Sequence, residues 1–256
     1  MFPKWAIVTT FAAFAGAAGC GRRPEPPPQP QATAPPASEF AVSPQALSAR
    51  QEGAGVVIDG AAAPGSLVRL ARPGGAAVTA SAGSDGRFRL SLPAAPDARI
   101  FGLSERVGGR VVQAQGYVLI GPAGKSALLR SGAGAVRLDR SAGPQLGALD
   151  FDHEGAAVVS GSAPAKAWLS LKLDGRQAAE ARADSRGRYA IALTRLAPGP
   201  HSLEIVGDGF RNAARVEVTP AQPLVGGPLH SQFTQGGLRA DWLTPGGGVQ
   251  STVLLD

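Results

Sequence analysis

Internal self-similarity is the feature that most restricts what this chain can fold into. Residues 56–92 read VVIDGAAAPGSLVRLARPGGAAVTASAGSDGRFRLSL, and residues 158–193 read VVSGSAPAKAWLSLKLDGRQAAEARADSRGRYAIAL. Gly60 and Gly86 correspond to Gly161 and Gly187, and Gly86-Arg87-Phe88 matches Gly187-Arg188-Tyr189. The offset is 101 residues throughout, with one adjustment around Pro64 and Pro164. Self-similarity at a fixed offset marks a structural unit built twice.

Both copies alternate with period two. Phe88, Leu90 and Leu92 fall on one strand face, with Arg87, Arg89 and Ser91 on the other. In the second copy Tyr189, Ile191 and Leu193 oppose Arg188, Ala190 and Ala192. This is the pattern of half-buried antiparallel strands. Ser84-Asp85-Gly86 and Ser185-Arg186-Gly187 supply the turn chemistry ahead of them. Further strands are expected at 99–106, 110–120 and 126–130 in the first copy, and at 201–206 and 215–218 in the second. Gly 35 and Pro 22, beside 44% hydrophobic and 17% charged residues, suit many short strands punctuated by turns. About seven strands per copy predicts an all-β chain of two tandem Ig-like β-sandwich domains.

These residues also resemble bacterial Ig-like and carboxypeptidase-regulatory-like modules. In those a Gly-x-x-x-Pro-Gly opening leads to a valine-rich strand, and an Asp-x-Gly-[Arg/Thr]-aromatic turn leads to another. The resemblance covers residues 50 to 220 and implies binding or spacing without chemistry. The Cys…Trp…Cys pattern of true Ig domains is absent from a chain with one cysteine.

That cysteine is Cys20. It follows Met1-Phe2-Pro3-Lys4 and the apolar stretch WAIVTTFAAFAGAAG, which is too short to span a bilayer comfortably and reads as a secretory segment. Ala18-Gly19-Cys20 resembles the bacterial lipobox, which implies acylation at Cys20 and anchorage; Ala17 stands where a larger aliphatic residue is usual. Two acyl chains suffice for stable anchoring where one does not. A lone exported cysteine cannot form an internal disulfide, and acylation removes the free thiol. Ordinary cleavage after Ala17, leaving a soluble protein, is the competing reading. Gly21 follows Cys20 where an inner-membrane retention signal would carry Asp, so the resemblance implies the outer membrane. Residues 22–38 (RRPEPPPQPQATAPPAS) favour an extended, solvated stalk.

The organisation expected is thus a lipoprotein signal peptide at 1–19, a lipid-anchored Pro-rich linker at 20–48, β-sandwiches at 49–142 and 143–220, and a C-terminal β-hairpin at 221–256 docked on the second. In that hairpin Leu238, Ala240 and Trp242 share a face, and Val249 to Leu255 alternate again. The face needs cover, so the hairpin is expected to shield Trp168 or to extend the sheet carrying it.

The net charge of +6 comes mostly from scattered arginines without a basic stripe or helix, which argues against nucleic acid. Residues 121–126 (GPAGKS) lack the first glycine of a phosphate loop, since Leu119 stands there, and no helical pattern follows. Asp150, Asp152 and Glu154 alternate ahead of the second sandwich. They suggest a calcium site at the junction, or a solvated strand with three carboxylates on one solvent face, and the EF-hand pattern fails because Gly161 occupies the closing position. His153, His201 and His230 are scattered, and no nucleophile elbow is present. No enzyme, resident metal or cofactor is expected. Trp168 lies opposite Leu169 and Leu171 and is a candidate partner-binding residue. Arg69, Arg87 and Arg89 point away from their apolar neighbours and would form one basic face if their strands share a sheet. The functional expectation is a non-catalytic module on the cell envelope, anchored in the membrane, for an envelope protein or anionic glycan. Its alternatives are an accessory module for a separate periplasmic enzyme and, behind that, a hydrolase.

Overall fold

A computed structural model describes residues 42–139, 143–221 and 223–256; Cys20 and the Pro-rich segment lie outside them. Alternation decides the first sandwich. Strands β1 (Gln45–Glu52), β2 (Gly55–Ala61) and β5 (Arg87–Pro93) form one antiparallel sheet. The facing sheet runs β4 (Ala77–Ser81), β3 (Leu67–Ala71), β6 (Arg99–Val107), β7 (Arg110–Ile120), β8 (Ser126–Leu129) and β9 (Val136–Arg137). Ile58, Phe88 and Leu90 of the first sheet pack on Val68, Leu70, Phe101 and Leu103 of the second.

The second copy repeats this framework. Its β10 (Gln145–Phe151), β11 (Ala157–Ser162) and β14 (Arg188–Leu193) stand for β1, β2 and β5. Its β13 (Arg176–Arg182), β12 (Trp168–Leu173), β15 (Gly199–Gly207) and β16 (Phe210–Val218) stand for β4, β3, β6 and β7. The chain is all-β, and its two copies are Ig-like β-sandwiches. Even the irregularities repeat: β1 bulges between Ala46 and Ser48, and β10 between Leu146 and Ala148.

The turn into the strand pair is reproduced bond for bond. The Ala62 N–H donates to the Gly86 carbonyl at 2.8 Å, as Ala163 does to Gly187. Gly83 donates to Arg87 and Asp184 to Arg188, both at 2.8 Å. Gly86 and Gly187 share φ +74°, a left-handed conformation that a side chain resists. Gly60 and Gly161 lie under the rings of Phe88 and Tyr189, where a Cβ would collide with ring atoms.

After seven strands the copies diverge. The first adds β8 and β9 beside β7, reached through a 3-10 turn at Pro122–Gly124. The second adds β17 (Leu229–Thr234), β18 (Gly237–Leu243) and β19 (Val249–Leu255) to its other sheet, which runs β14-β11-β10-β19-β18-β17. The C-terminal segment is therefore a three-stranded meander, with β17 in addition to the expected hairpin. It extends the sheet opposite the one that carries Trp168, because β19 pairs with β10 in register from Ala148–Leu254 to Phe151–Ser251. The expected cover over Trp168 is thus overturned, and Trp168 stays 68% exposed.

The added strands meet in a third core. Ile100, Leu119, Ala127 and Leu129 from the first copy pack with Ala148, Leu238, Trp242 and Leu254 from the second. Trp242 is fully buried and meets Tyr117 of β7 edge-on, with ring centroids 6.0 Å apart. This seam explains why β18 and β19 break alternation. Strand β19 gives Val253 and Leu255 to the second sandwich's core and Leu254 to the seam. Strand β18 gives Leu238, Ala240 and Trp242 to the seam and a buried Arg239–Asp241 pair to its other side, so both faces of each are buried.

Candidate functional site

The polar heart of the seam is Asp150. The sequence placed Asp150, Asp152 and Glu154 on one solvent face, but Asp150 is 2% exposed. Its Oδ2 accepts from the Ala135 N–H at 2.6 Å, and its Oδ1 accepts from the Thr252 hydroxyl and, at 3.1 Å, from Gln250 Nε2. The Gly132 N–H donates to Gln250 Oε1 at 3.2 Å, and the Ser160 hydroxyl to the Ala135 carbonyl at 2.7 Å. The loop between β8 and β9 is thus fastened to the second copy by a buried carboxylate. Burial pushes the Asp150 carboxyl up to about 6, against its hydrogen-bond donors and the Arg130 charge, which pull it down. Asp152 instead ends β10, its Oδ1 accepting from the Glu154 and Ala156 N–H groups. The three carboxylates do not converge, and among the described residues no group of three His, Cys, Asp or Glu side chains is placed to hold a metal ion.

The expected basic face also separates. Arg69 lies on β3, whereas Arg87 and Arg89 lie on β5 in the other sheet. Alternation fixes which residues point outward, but these point outward from opposite layers of the sandwich. Arg89 is occupied besides, donating to Asp59 at 2.9 Å, and Asp59 is shared with Arg50. Arg87 has a different setting.

Arg87 lines a cleft of about 1270 Å³ bounded by both copies and the β8–β9 loop. Its basic wall holds Arg87, Arg130, Arg137, Arg182, Arg186 and Arg188, against the carboxylates of Asp85 and Asp184. The internal repeat builds this asymmetry of charge. Each copy contributes its turn before the aromatic strand, so Arg87 and its counterpart Arg188 face one space. The sequence contained this signal in the repeated Gly-Arg-aromatic turn, but only the docking of the copies brings the two turns together.

The six arginines divide by partner. Arg137 is structural: it pairs with Asp139 at 2.6 Å and donates to the Leu255 carbonyl across the seam at 2.7 Å. Arg188 pairs with Asp184 at 3.3 Å. Arg130 donates to the Ala133 and Gly134 carbonyls, both at 2.9 Å, and among the described residues meets no carboxylate within ion-pair distance. Burial, and then repulsion from Arg188, lower the proton affinity of its guanidinium. Arg182 donates to the Lys166 carbonyl at 2.8 Å and lies 5.6 Å over the ring of Trp168. Among the described residues Arg87, Arg130, Arg182 and Arg186 form no ion pair with a side chain. Such a wall can take up anionic groups through charge-assisted, bidentate hydrogen bonds.

No protein-family model matches the chain, and no curated protein matches it. Solved structures do match. One, titled "Biofilm associated protein - BSP domain", is 16% identical with a TM-score of 0.24, over 71% of this chain and 30% of that one. Another, the "Central Fibronectin-III array of RIM-binding protein", is 14% identical with a TM-score of 0.29, over 84% of this chain and 90% of that one.

Proposed function

We propose that this protein is a non-catalytic binding module of the bacterial cell envelope, anchored at Cys20 in the outer membrane and held off it by the Pro-rich stalk. The observation that carries the reading is the arginine-walled cleft. Its basic residues come from both sandwiches, and the buried seam fixes one sandwich against the other. A site assembled from rigid strands and a pinned loop keeps its shape without a ligand, which lowers the ordering cost of binding. The anchor supplies the other half of the reading, since a lone cysteine after a small-residue junction suits acylation. Among the described residues no helix is long and apolar enough to cross a membrane.

The test is photo-crosslinking in intact envelopes, with a crosslinking residue in place of Arg186, alongside fractionation of Cys20→Ser. The expected result is a specific adduct at the cleft and release of Cys20→Ser into the soluble fraction with loss of the acyl mass. Membrane retention of Cys20→Ser at unchanged mass would refute the anchor. A crosslink profile identical to that of a crosslinker at Arg69 would refute the cleft as the binding surface. A single periplasmic enzyme as the main adduct would favour an accessory role.

A further inference from the structure

The cleft's size, charge and nearest aromatic residue together restrict what it can hold. Small-molecule sites occupy roughly 300–1,000 Å³, so a cleft of about 1270 Å³ is too roomy to enclose a single small anion. Arg137 apart, its cationic groups come from four separate stretches: the start of β5, the β8–β9 loop, the end of β13 and the turn leading into the start of β14. An occupant that satisfies them must carry several negative groups along its length. The guanidinium fork matches the geometry of a carboxylate, with two parallel N–H···O bonds for each group.

The aromatic component decides between two kinds of polyanion. Trp168 stands at the first residue of β12 with 68% of its surface exposed, and Arg182 joins it to the cleft by lining the cleft and lying 5.6 Å over the ring. An exposed indole beside a cationic wall offers a flat apolar face next to guanidinium N–H groups that donate to carboxylates. A sugar ring that bears a carboxylate uses both at once, whereas an acidic peptide uses the charges alone.

Resting on the reading of the chain as an envelope binding module, we propose that the cleft binds an acidic glycan. Arg87, Arg130, Arg186 and Arg188 take carboxylates of successive uronate-type sugars, and Trp168 stacks on a ring at the rim. Arg188 exchanges Asp184 for the ligand or shares it. Arg137 and Arg69 take no part, the first because Asp139 and carbonyl oxygens occupy it, the second because it lies on the other sheet.

The experiment is calorimetric titration of the full chain, solubilised in detergent, with oligogalacturonate. A neutral oligosaccharide of equal length and poly-glutamate serve as comparison probes. Oligogalacturonate is expected to bind, with affinity falling as salt rises from about 50 to 300 mM. Arg87→Gln with Arg186→Gln should weaken it about tenfold or more, the scale of lost charge-assisted hydrogen bonds. Both residues are exposed, and an unchanged melting temperature establishes that the variant is folded. Trp168→Ala should weaken oligogalacturonate but leave poly-glutamate unchanged, and Arg69→Gln should alter neither. Tighter binding of poly-glutamate would overturn the glycan in favour of an acidic protein. Equal binding of the neutral oligosaccharide, or no effect of the arginine pair, would overturn the cleft's role. Absence of all binding would overturn this proposal too, while a cleft-specific crosslink in envelopes would leave the binding-module reading intact.

Discussion

The two sandwiches share seven strands, a bulge and a turn bond for bond, yet they close themselves differently. The first lengthens the sheet that ends in β7. The second lengthens the opposite sheet by inserting β19 beside β10. The added strands face one another, and the seam between them holds Trp242, Tyr117 and the Asp150 network. The repeated sequence therefore encodes the sandwich, and the unrepeated sequence encodes how the two are joined. The division is sharper in the first copy, since β19 of the second also gives Val253 and Leu255 to the Tyr189 core.

Substitution on either side of that division tests it. Trp242→Ala should have the largest effect, about 4 kcal/mol for a fully buried indole, and should reach both copies. Hydrogen exchange should show lost protection in β7 and β8 as well as in β18 and β19. Phe88→Ala should cost about 3 kcal/mol while sparing the second copy. If Trp242→Ala left β7 and β8 protected, the seam would join the copies without coupling them.

Acidity should sharpen the comparison more gently. Asp150 has a carboxyl raised to about 6 from an ordinary 3.8, so the native state binds its proton more tightly than the unfolded state. The contribution of Asp150 to stability should rise as pH falls from 7 toward 5, by on the order of 1 kcal/mol, and level off below the unfolded value. His201, raised by its hydrogen bonds to Asp174 and Ala197 despite the larger opposing effect of burial, acts in the same direction. The Asp150 share is therefore the difference between the native chain and Asp150→Asn in denaturant melts at both pH values. Equal slopes for the two proteins would mean that Asp150 stays ionised throughout.

The smallest expected effect lies where the copies differ by one residue at one backbone position. Gly65 has φ +72°, and its counterpart Lys166 has φ +62°. A lysine in the left-handed region is disfavoured relative to glycine. Lys166→Gly should stabilise the second copy by about 0.5–1 kcal/mol, and Gly65→Lys should destabilise the first by a similar amount. Thermal melts of the two reciprocal variants check this, and a loss of stability in Lys166→Gly would show that the lysine side chain offsets its strain.

The sequence made the sandwiches legible because half-burial writes itself as alternation. Phe88, Leu90 and Leu92 point inward where the pattern put them, and so do Tyr189, Ile191 and Leu193. What alternation cannot carry is the layer to which a strand belongs. Arg69 and Arg87 both read as outward-facing, and only strand pairing separates them. Nor can it carry docking. Asp150 read as solvent-facing because its cover, the loop at 130–135, comes from the other copy. Residues 210–214 of β16, and β17, are not legible as strands because their partly exposed residues write a weak pattern. The cleft was half legible, in that the repeat displayed both arginine turns but not that they meet.

The position of β19 has a consequence for how the chain is made. This strand lies between β10 and β18, and β10 precedes it by about a hundred residues. At a synthesis rate of ~5–20 residues per second, β10 waits roughly 5–20 s for its partner. The second sandwich cannot complete its sheet before residue 255 has emerged. Contacts so distant along the chain form slowly even then. Until then β10 keeps an unpaired edge in the second sandwich, and β19 is the strand that covers it.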